Sequence, residues 1–289
     1  MIKRSEGRSA TAAAAYRAGE EIVDRSTGEV WNYRRKKGIY SSEILAPDHA
    51  PKWVFNRSEL WNRVEESETR QNSQLARELN ISVPIELPNA TRVQLVREFV
   101  RDEFVAAGMV ADVCFHDFES HNPHAHVSLT LRDIHKDRFS AHKNRTWNER
   151  TLMDRWRESW ANYANRYIQQ EGFDIRIDHR SYEEQGIDLI PTRHLGPHAS
   201  ALENAGTRTQ AGDLNRAANA YNTRQMNRLV TLEFEAQAVE KELKAIEANI
   251  ERRKPARISH SQPLEALNSR AAAGDKHWRV GQAVFLASI

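Results

Sequence analysis

Between Val113 and Arg132 the chain alternates in side-chain character on both sides of an Asn122-Pro123 break. From His124 onward, His124, His126, Ser128, Thr130 and Arg132 share one face of an extended chain, and Ala125, Val127, Leu129 and Leu131 share the other, because successive side chains of a strand point to opposite sides. The run from Val113 to His116 alternates in the same way, setting Cys114 and His116 opposite Val113 and Phe115. This pattern predicts an antiparallel hairpin across Asp117 to Pro123, with Asn-Pro enforcing the turn. His116, His124 and His126 then converge on one polar sheet face. Neutral imidazole is the commonest protein ligand for a divalent ion, so the three outline a metal site. The chain holds 12 histidines, and alternating pairs on a solvated strand are often plain surface residues. The third imidazole on the neighbouring strand favours a ligand set. His121 and His135 lie in loop-like sequence and are expected to stand outside it.

The surrounding pattern points to an α+β domain. Ser9 to Glu20 is rich in alanine and reads as a short helix carrying Tyr16, with Gly19 near its end. Ser58 to about Arg77 is charged and helical in character. Glu78 to Ile85 alternates as a strand, with Leu79, Ile81, Val83 and Ile85 apolar and Glu78 and Asn80 on the polar side; Pro84 marks a bulge or edge. Thr91 and Gln94 have capping-box spacing before a helical stripe of Leu95, Val96, Phe99, Val100 and Phe104 that stops at Gly108. Thr146 and Glu149 repeat the spacing ahead of Leu152, Trp156, Trp160, Tyr163 and Tyr167. These two helices are expected to cover the apolar sheet face, leaving the polar face open for a ligand. From about Asp213 to Arg253 a second helical region carries Leu229, Leu232, Ala236, Val239, Leu243, Ile246 and Ile250 at steps of three and four. Such a seam fits a coiled coil, as in a homodimer, or a helix lying on its own domain.

At 289 residues, with 39% hydrophobic and 28% charged residues, the chain accommodates one large domain with an extension. No run reaches the length of a membrane span, and no signal-peptide core follows the charged N-terminus, so a cytoplasmic protein is expected. Cys114 is the sole cysteine, which excludes an internal disulfide. The net charge of +2 neither demands nor excludes nucleic acid. Locally, however, Lys3, Arg4 and Arg8 and the block Arg34-Arg35-Lys36-Lys37 are basic.

A three-imidazole site leaves coordination positions open, so a bound ion can polarise a phosphoryl or carbonyl oxygen or activate water. Water activation needs a base, and Glu78 is on the right face. Phosphoryl transfer to the protein needs a nucleophile, and Tyr16 is the candidate, with Tyr33 and Tyr40 as rivals. A phenol ionises only near about 10 and requires a base or cation to act. The small side chains Ala12 to Ala15 are expected to admit a phosphate backbone.

The ordered set Gly7-Arg8-Ser9-Ala10-Thr11-Ala12-Ala13-Ala14-Ala15-Tyr16-Arg17-Ala18-Gly19-Glu20, then His116, then His121-Asn122-Pro123-His124-Ala125-His126 resembles the MobA/MobL family of plasmid mobilisation relaxases. Asp178-His179-Arg180-Ser181-Tyr182 and Pro191-Thr192-Arg193-His194-Leu195-Gly196-Pro197 are similar to that family as well, and the likeness runs from about Ser5 to Ala199. The resemblance implies a fold of the HUH-endonuclease type, a central antiparallel sheet flanked by helices, over residues 1–199. A helical extension over 200–256 and a tail of unassigned structure over 257–289 complete the expected organisation. It further implies a strand-specific nick at a transfer origin, leaving a 5′-phosphotyrosyl link and a free 3′-hydroxyl. Carried over by position, Tyr16 is the nucleophile, His116, His124 and His126 are ligands for Mg²⁺ or Mn²⁺, and Glu78 is an acidic site residue. Asn80 stands where some relatives carry a second carboxylate. Relatives also begin with a short apolar strand before Arg4-Ser5-Glu6-Gly7-Arg8-Ser9, and this chain, opening at Met1-Ile2-Lys3, is expected to lack it.

The implied partners are single-stranded origin DNA, accessory proteins of the nicking complex and a type IV coupling protein. Arg8, Arg17, Tyr33, Arg34, Arg35, Lys36 and Lys37, with Trp31, are the expected DNA contacts through phosphate pairing and stacking. A solvated charged hairpin would share the composition of residues 31–40. Two other functions remain open to the sequence: a non-catalytic origin-binding or assembly protein, and a hydrolase that activates water at the histidines.

Overall fold

The computed structural model describes residues 1–120, 122–253, 280–282 and 285–287. His121 lies outside them. In chain order the elements are β1 (Ile2–Lys3), α1 (Ala10–Ala18), β2 (Glu21–Val23), β3 (Val30–Asn32), β4 (Ile39–Leu45), α2 (Arg57–Ser67), β5 (Gln74–Ser82), α3 (Asn89–Val100), β6 (Ala111–His116), β7 (His124–Leu129), α4 (Arg150–Gln170), β8 (Arg176–Asp178), α5 (Gly196–Asn204), α6 (Gln210–Arg253), β9 (Val280–Gln282) and β10 (Phe285–Ala287). The described residues fall into two compact units, 1–179 with 280–282 and 285–287, and 180–253.

The first unit is built on an antiparallel sheet in the order β1-β5-β7-β6-β4, with β10 also pairing β5. The α+β expectation and the hairpin both hold: β6 and β7 pair with Val113 opposite Val127 and His116 opposite His124. Strand β5 adds on the far side of β7, pairing Asn80 with His126 and Ser82 with His124. Where the sequence predicts no leading strand, Ile2–Lys3 pairs with β5 at Ala76 and Gln74. Farther along the same strand, β10 pairs with Leu79, Asn80 and Ile81.

The apolar face of the sheet carries Leu79, Ile81, Val113, Phe115, Ala125, Val127 and Leu129, all buried under α3 and α4. The stripe of α4 brings Trp160 within 5.1 Å of Phe99 and Trp156 within 5.0 Å of Phe104, ring centre to ring centre. Trp160 is 1% exposed. Trp160→Ala is expected to lower unfolding free energy by about 3–5 kcal/mol, the usual cost of truncating a buried large aromatic; a denaturant midpoint shifted by less than a third of that would show the site is not core.

The polar face is more enclosed than expected. Helices α1 and α2 pack over it and form a second core of Ile2, Ala10, Ala14, Ala15, Leu60, Trp61, Val64 and Ala76. Beneath them Asp112 accepts from Arg57 Nε at 2.9 Å and from Trp61 Nε1 at 2.8 Å. Ala14 and Ala15 are packed rather than offered to a ligand.

Three local expectations also change. The helix read from Ser58 to Arg77 ends at Ser67, and β5 already begins at Gln74. Thr91 does not cap α3: its hydroxyl donates to Glu171 at 2.7 Å, and Pro88 precedes the first turn. Thr146 instead bonds Asn144 at 2.6 Å, and α4 begins after Glu149 without a side-chain cap. In both cases a longer-range or neighbouring acceptor outcompetes the local box.

In the second unit α6 is 44 residues long. Asn222 holds both backbone groups of Ile190 at 2.8 Å, and Asn215 those of Arg193 at 2.7 Å. These two side chains fix the Pro191 to Arg193 segment along the first half of the helix. Among the described residues no helix is long and apolar enough to cross a membrane.

Candidate metal centre

The hairpin register alone brings two of the histidines opposite one another, and β7 places His126 one pleat further in. His116 and His126 rings lie 4.7 Å apart between centres, His124 and His126 4.9 Å, and His116 and His124 5.5 Å. One nitrogen from each falls within 4.8 Å of the other two, a spacing suited to a single cation. His124 Nδ1 is held by the Asn122 carbonyl at 2.8 Å, which leaves Nε2 for a ligand. Asp117, the residue after His116, adopts a left-handed φ of 53°. Its amide donates to Gly38 O at 2.8 Å, and a Cβ on Gly38, itself at φ 83°, would collide with the Asp117 carboxylate. The left-handed φ there favours glycine, and a larger residue would push the Asp117 carboxylate aside. Asp117 Oδ2 lies 4.0 Å from His124 Nδ1.

Burial pulls the His116 imidazole down to about 4. His126 is lowered to about 2 by burial first and then by the Arg17 charge. Both are thus neutral, the form that can donate a lone pair. His126 Nδ1 and Asn80 Oδ1 are buried without partners on directly paired residues of β5 and β7. Three neutral imidazoles of this spacing fit a divalent cation. The shifts also set a stability trend. An unfolded chain takes up protons on these rings near the ordinary value of about 6.5, whereas the folded chain resists until about 4 for His116. Their neutral state therefore costs nothing above about 6.5 and lowers stability as pH falls toward 4. The melting temperature of the metal-free chain is expected to drop between pH 7 and pH 5, and His126→Gln to flatten that slope; an equal slope in the variant would assign the trend to other groups.

Helix α1 delivers Tyr16 and Arg17 to this place. Ser9 caps its start by accepting from Ala12 N at 3.2 Å, and Gly19 ends it at φ 65°, where a Cβ would strike Ile39. The last turn thus lies against the end of the hairpin. His116 Nε2 is 2.6 Å from the Arg17 carbonyl, a contact across 99 positions of sequence. Tyr16 is 51% exposed, so its hydroxyl end is accessible. Its ring meets Tyr33 edge-on at 5.2 Å. Lys36 Nζ sits 3.6 Å over the Tyr16 ring and donates to the Tyr16 carbonyl at 3.0 Å. Burial, and then the charge of Arg17, holds the Lys36 ammonium below its usual range.

Glu78 is bound by two guanidinium groups, Arg17 closely and Arg8 at 3.1 Å. Burial raises its carboxyl, but the Arg17 and Arg8 charges outweigh burial and hold it below the usual range. In this geometry Glu78 anchors two arginines rather than standing free as a base. Arg17 is 7% exposed, and its Nε and Nη1 have no protein partner.

The structure separates the other expected DNA contacts. Arg34, Arg35 and Lys37 are exposed beside Tyr33 and Lys36, with Arg34 3.9 Å from Glu21. Trp31 packs against the second core instead. Sequence reasoning missed the cleft of about 980 Å³ at the start of β5, lined by Arg70, Arg132, Lys143 and Arg145. Its members come from three separate stretches, so no local charge run announces it. Arg132 and Lys143 both pair with Glu68, at 2.8 and 3.0 Å.

The chain belongs to the MobA/MobL family, whose model matches residues 8–205. It is 36% identical over 262 residues to the conjugal transfer protein TraA of Agrobacterium fabrum, covering 78% of this chain and 24% of that protein. It is 34% identical to the mobilization protein MobL of Acidithiobacillus ferridurans, covering 86% of this chain and 72% of that one. The chain thus spans about a quarter of the TraA length and most of the MobL length. A solved structure described as the molecular basis of vancomycin resistance transfer in Staphylococcus aureus matches with a TM-score of 0.58 at 34% identity, over 63% of this chain and 95% of that one.

Proposed function

We propose that this chain is a relaxase that nicks one strand of transfer-origin DNA by tyrosine transesterification. The observation that carries the reading is the meeting of the His116, His124 and His126 cluster with the last turn of α1, through the His116 to Arg17 carbonyl contact. His116, His124 and His126 would hold a divalent ion, Mg²⁺ or Mn²⁺, which when bound would offset negative charge developing at the scissile phosphate. Nitrogen donors suit Mn²⁺ better than Mg²⁺, which prefers oxygen.

The protein's own groups do the rest. The Tyr16 hydroxyl attacks phosphorus; a bond forms between its oxygen and the 5′-phosphate as the bond to the 3′-oxygen breaks. The proton lost by the phenol is balanced by the one gained at the 3′-hydroxyl. Lys36, over the Tyr16 ring, holds the nucleophile in place. Arg17, whose charge reaches His126, adds fixed positive charge behind the site, and Glu78 keeps that guanidinium in position. Tyr33, Arg34, Arg35 and Lys37 take the adjoining single strand, with Arg8 beside Glu78. Because the phosphotyrosyl bond conserves the phosphodiester, the same site can rejoin the strand.

The test is to incubate the full chain with an end-labelled single-stranded oligonucleotide containing the nick site of the cognate transfer origin and Mn²⁺. A labelled band that survives denaturant and shifts by the mass of the protein is expected. Binding without such a band would favour an origin-binding or assembly protein, and cleavage without it would favour a hydrolase.

A further inference from the structure

Every residue from Met226 to Arg252 of α6 is exposed. Along this stretch Leu229, Leu232, Val239, Leu243, Ile246 and Ile250 are between 49% and 56% exposed. With Ala236 they follow an unbroken three-four alternation, the seam by which one helix packs against another. The residues beside that seam name its partner. Taking Leu229 as position a, the e positions are Glu233, Glu240 and Glu247, and the g positions are Arg228, Glu235, Glu242 and Asn249. A second copy in parallel would oppose Glu235 to Glu240 and Glu242 to Glu247, leaving Arg228 with Glu233 as the sole attractive flank. An antiparallel copy would oppose e to e and g to g, nearly all glutamate. Of these glutamates Glu240 has a partner in its own helix, Lys244 at 2.6 Å, on the outer side. Like charges flanking a seam select against self-pairing and for an oppositely charged helix.

We infer that the Leu229 to Ile250 seam of α6 docks an amphipathic helix of another protein, one with aliphatic residues at its a and d positions and lysine or arginine flanking them. A homodimer through this helix, the simplest expectation from the seam alone, is disfavoured by the same charges.

The test uses the full chain and two fluorescent four-heptad peptides identical except that their e and g positions are all lysine or all glutamate. The chain is expected to sediment as a monomer at micromolar concentration. It should bind the lysine peptide at least about 10-fold tighter than the glutamate peptide, with the preference shrinking as salt rises. Leu232→Asp with Leu243→Asp should remove that binding; both positions are exposed, so the fold is not at risk. Changing Glu235, Glu240, Glu242 and Glu247 to lysine should reverse the preference. A parent dimer that the aspartate pair dissolves would overturn the inference in favour of a second copy. Failure of the lysine peptide to bind, a glutamate peptide that binds as tightly, or binding unaffected by the aspartate pair would overturn it as well.

Discussion

Tyr16→Phe is expected to eliminate the denaturant-resistant protein–DNA band while leaving oligonucleotide binding within about threefold of the parent. The substitution removes one oxygen and keeps the ring, so the edge-on contact with Tyr33 at 5.2 Å and the Lys36 ammonium 3.6 Å above the ring can persist. With Tyr16 half-exposed, no core packing is lost. Removal of a covalent nucleophile costs on the order of 10⁴-fold or more in rate when no other group replaces it. Tyr33 and Tyr40 are the available substitutes, so the double change Tyr16→Phe with Tyr33→Phe distinguishes slow replacement from wrong assignment. A band of undiminished intensity in Tyr16→Phe would sink the nucleophile assignment, whatever the metal does.

The second large effect is expected from His126→Ala. His126 pairs across the sheet with Asn80 and Cys114 and has both other imidazoles within 5 Å of its ring. Changes to groups that merely orient a ligand lower metal affinity by roughly 10–100-fold, and loss of a ligand should exceed that. In the parent, Mn²⁺ at 100 times its dissociation constant should stabilise the fold by about 2.7 kcal/mol. The variant at the same Mn²⁺ concentration should show no rise in melting temperature, and its strand cleavage should fall with the metal response. His135→Ala, from the loop closed by Arg138, is the matched control and should behave as the parent. An unchanged Mn²⁺ shift in His126→Ala, with the control intact, would refute a three-histidine centre.

Particular residues show how far the sequence reaches. The period-two alternation of residues 113–116 and 124–129 was sufficient to set which face of each strand is buried, because a slip of one residue would turn Val113, Phe115, Val127 and Leu129 to the wrong face. The α4 stripe was legible for the same reason: its aromatic residues recur at helical spacing and bury together. Strand β4 was not, since Ile39 to Leu45 alternates weakly and its Glu43 is held from outside by Arg97 at 3.0 Å. The capping boxes at Thr91 and Thr146 failed because side-chain oxygens choose among acceptors that sequence spacing does not display. Asp112 gave no signal at all; its importance comes from Arg57 and Trp61, more than 50 positions earlier.

The amino-acid order thus determined which side chains share a strand or helix face, and with it the triad of His116, His124 and His126 and the acidic-flanked seam of α6. Those are local consequences of two backbone periods. Tertiary structure alone decided that α1 and α2 close most of the polar face, that Glu78 is neutralised between Arg8 and Arg17, and that Arg17 meets His116 across 99 residues. It also set Lys36 over Tyr16. Such contacts depend on where buried charge and carbonyl groups find partners once the core has formed, and that choice is made between elements, not within them.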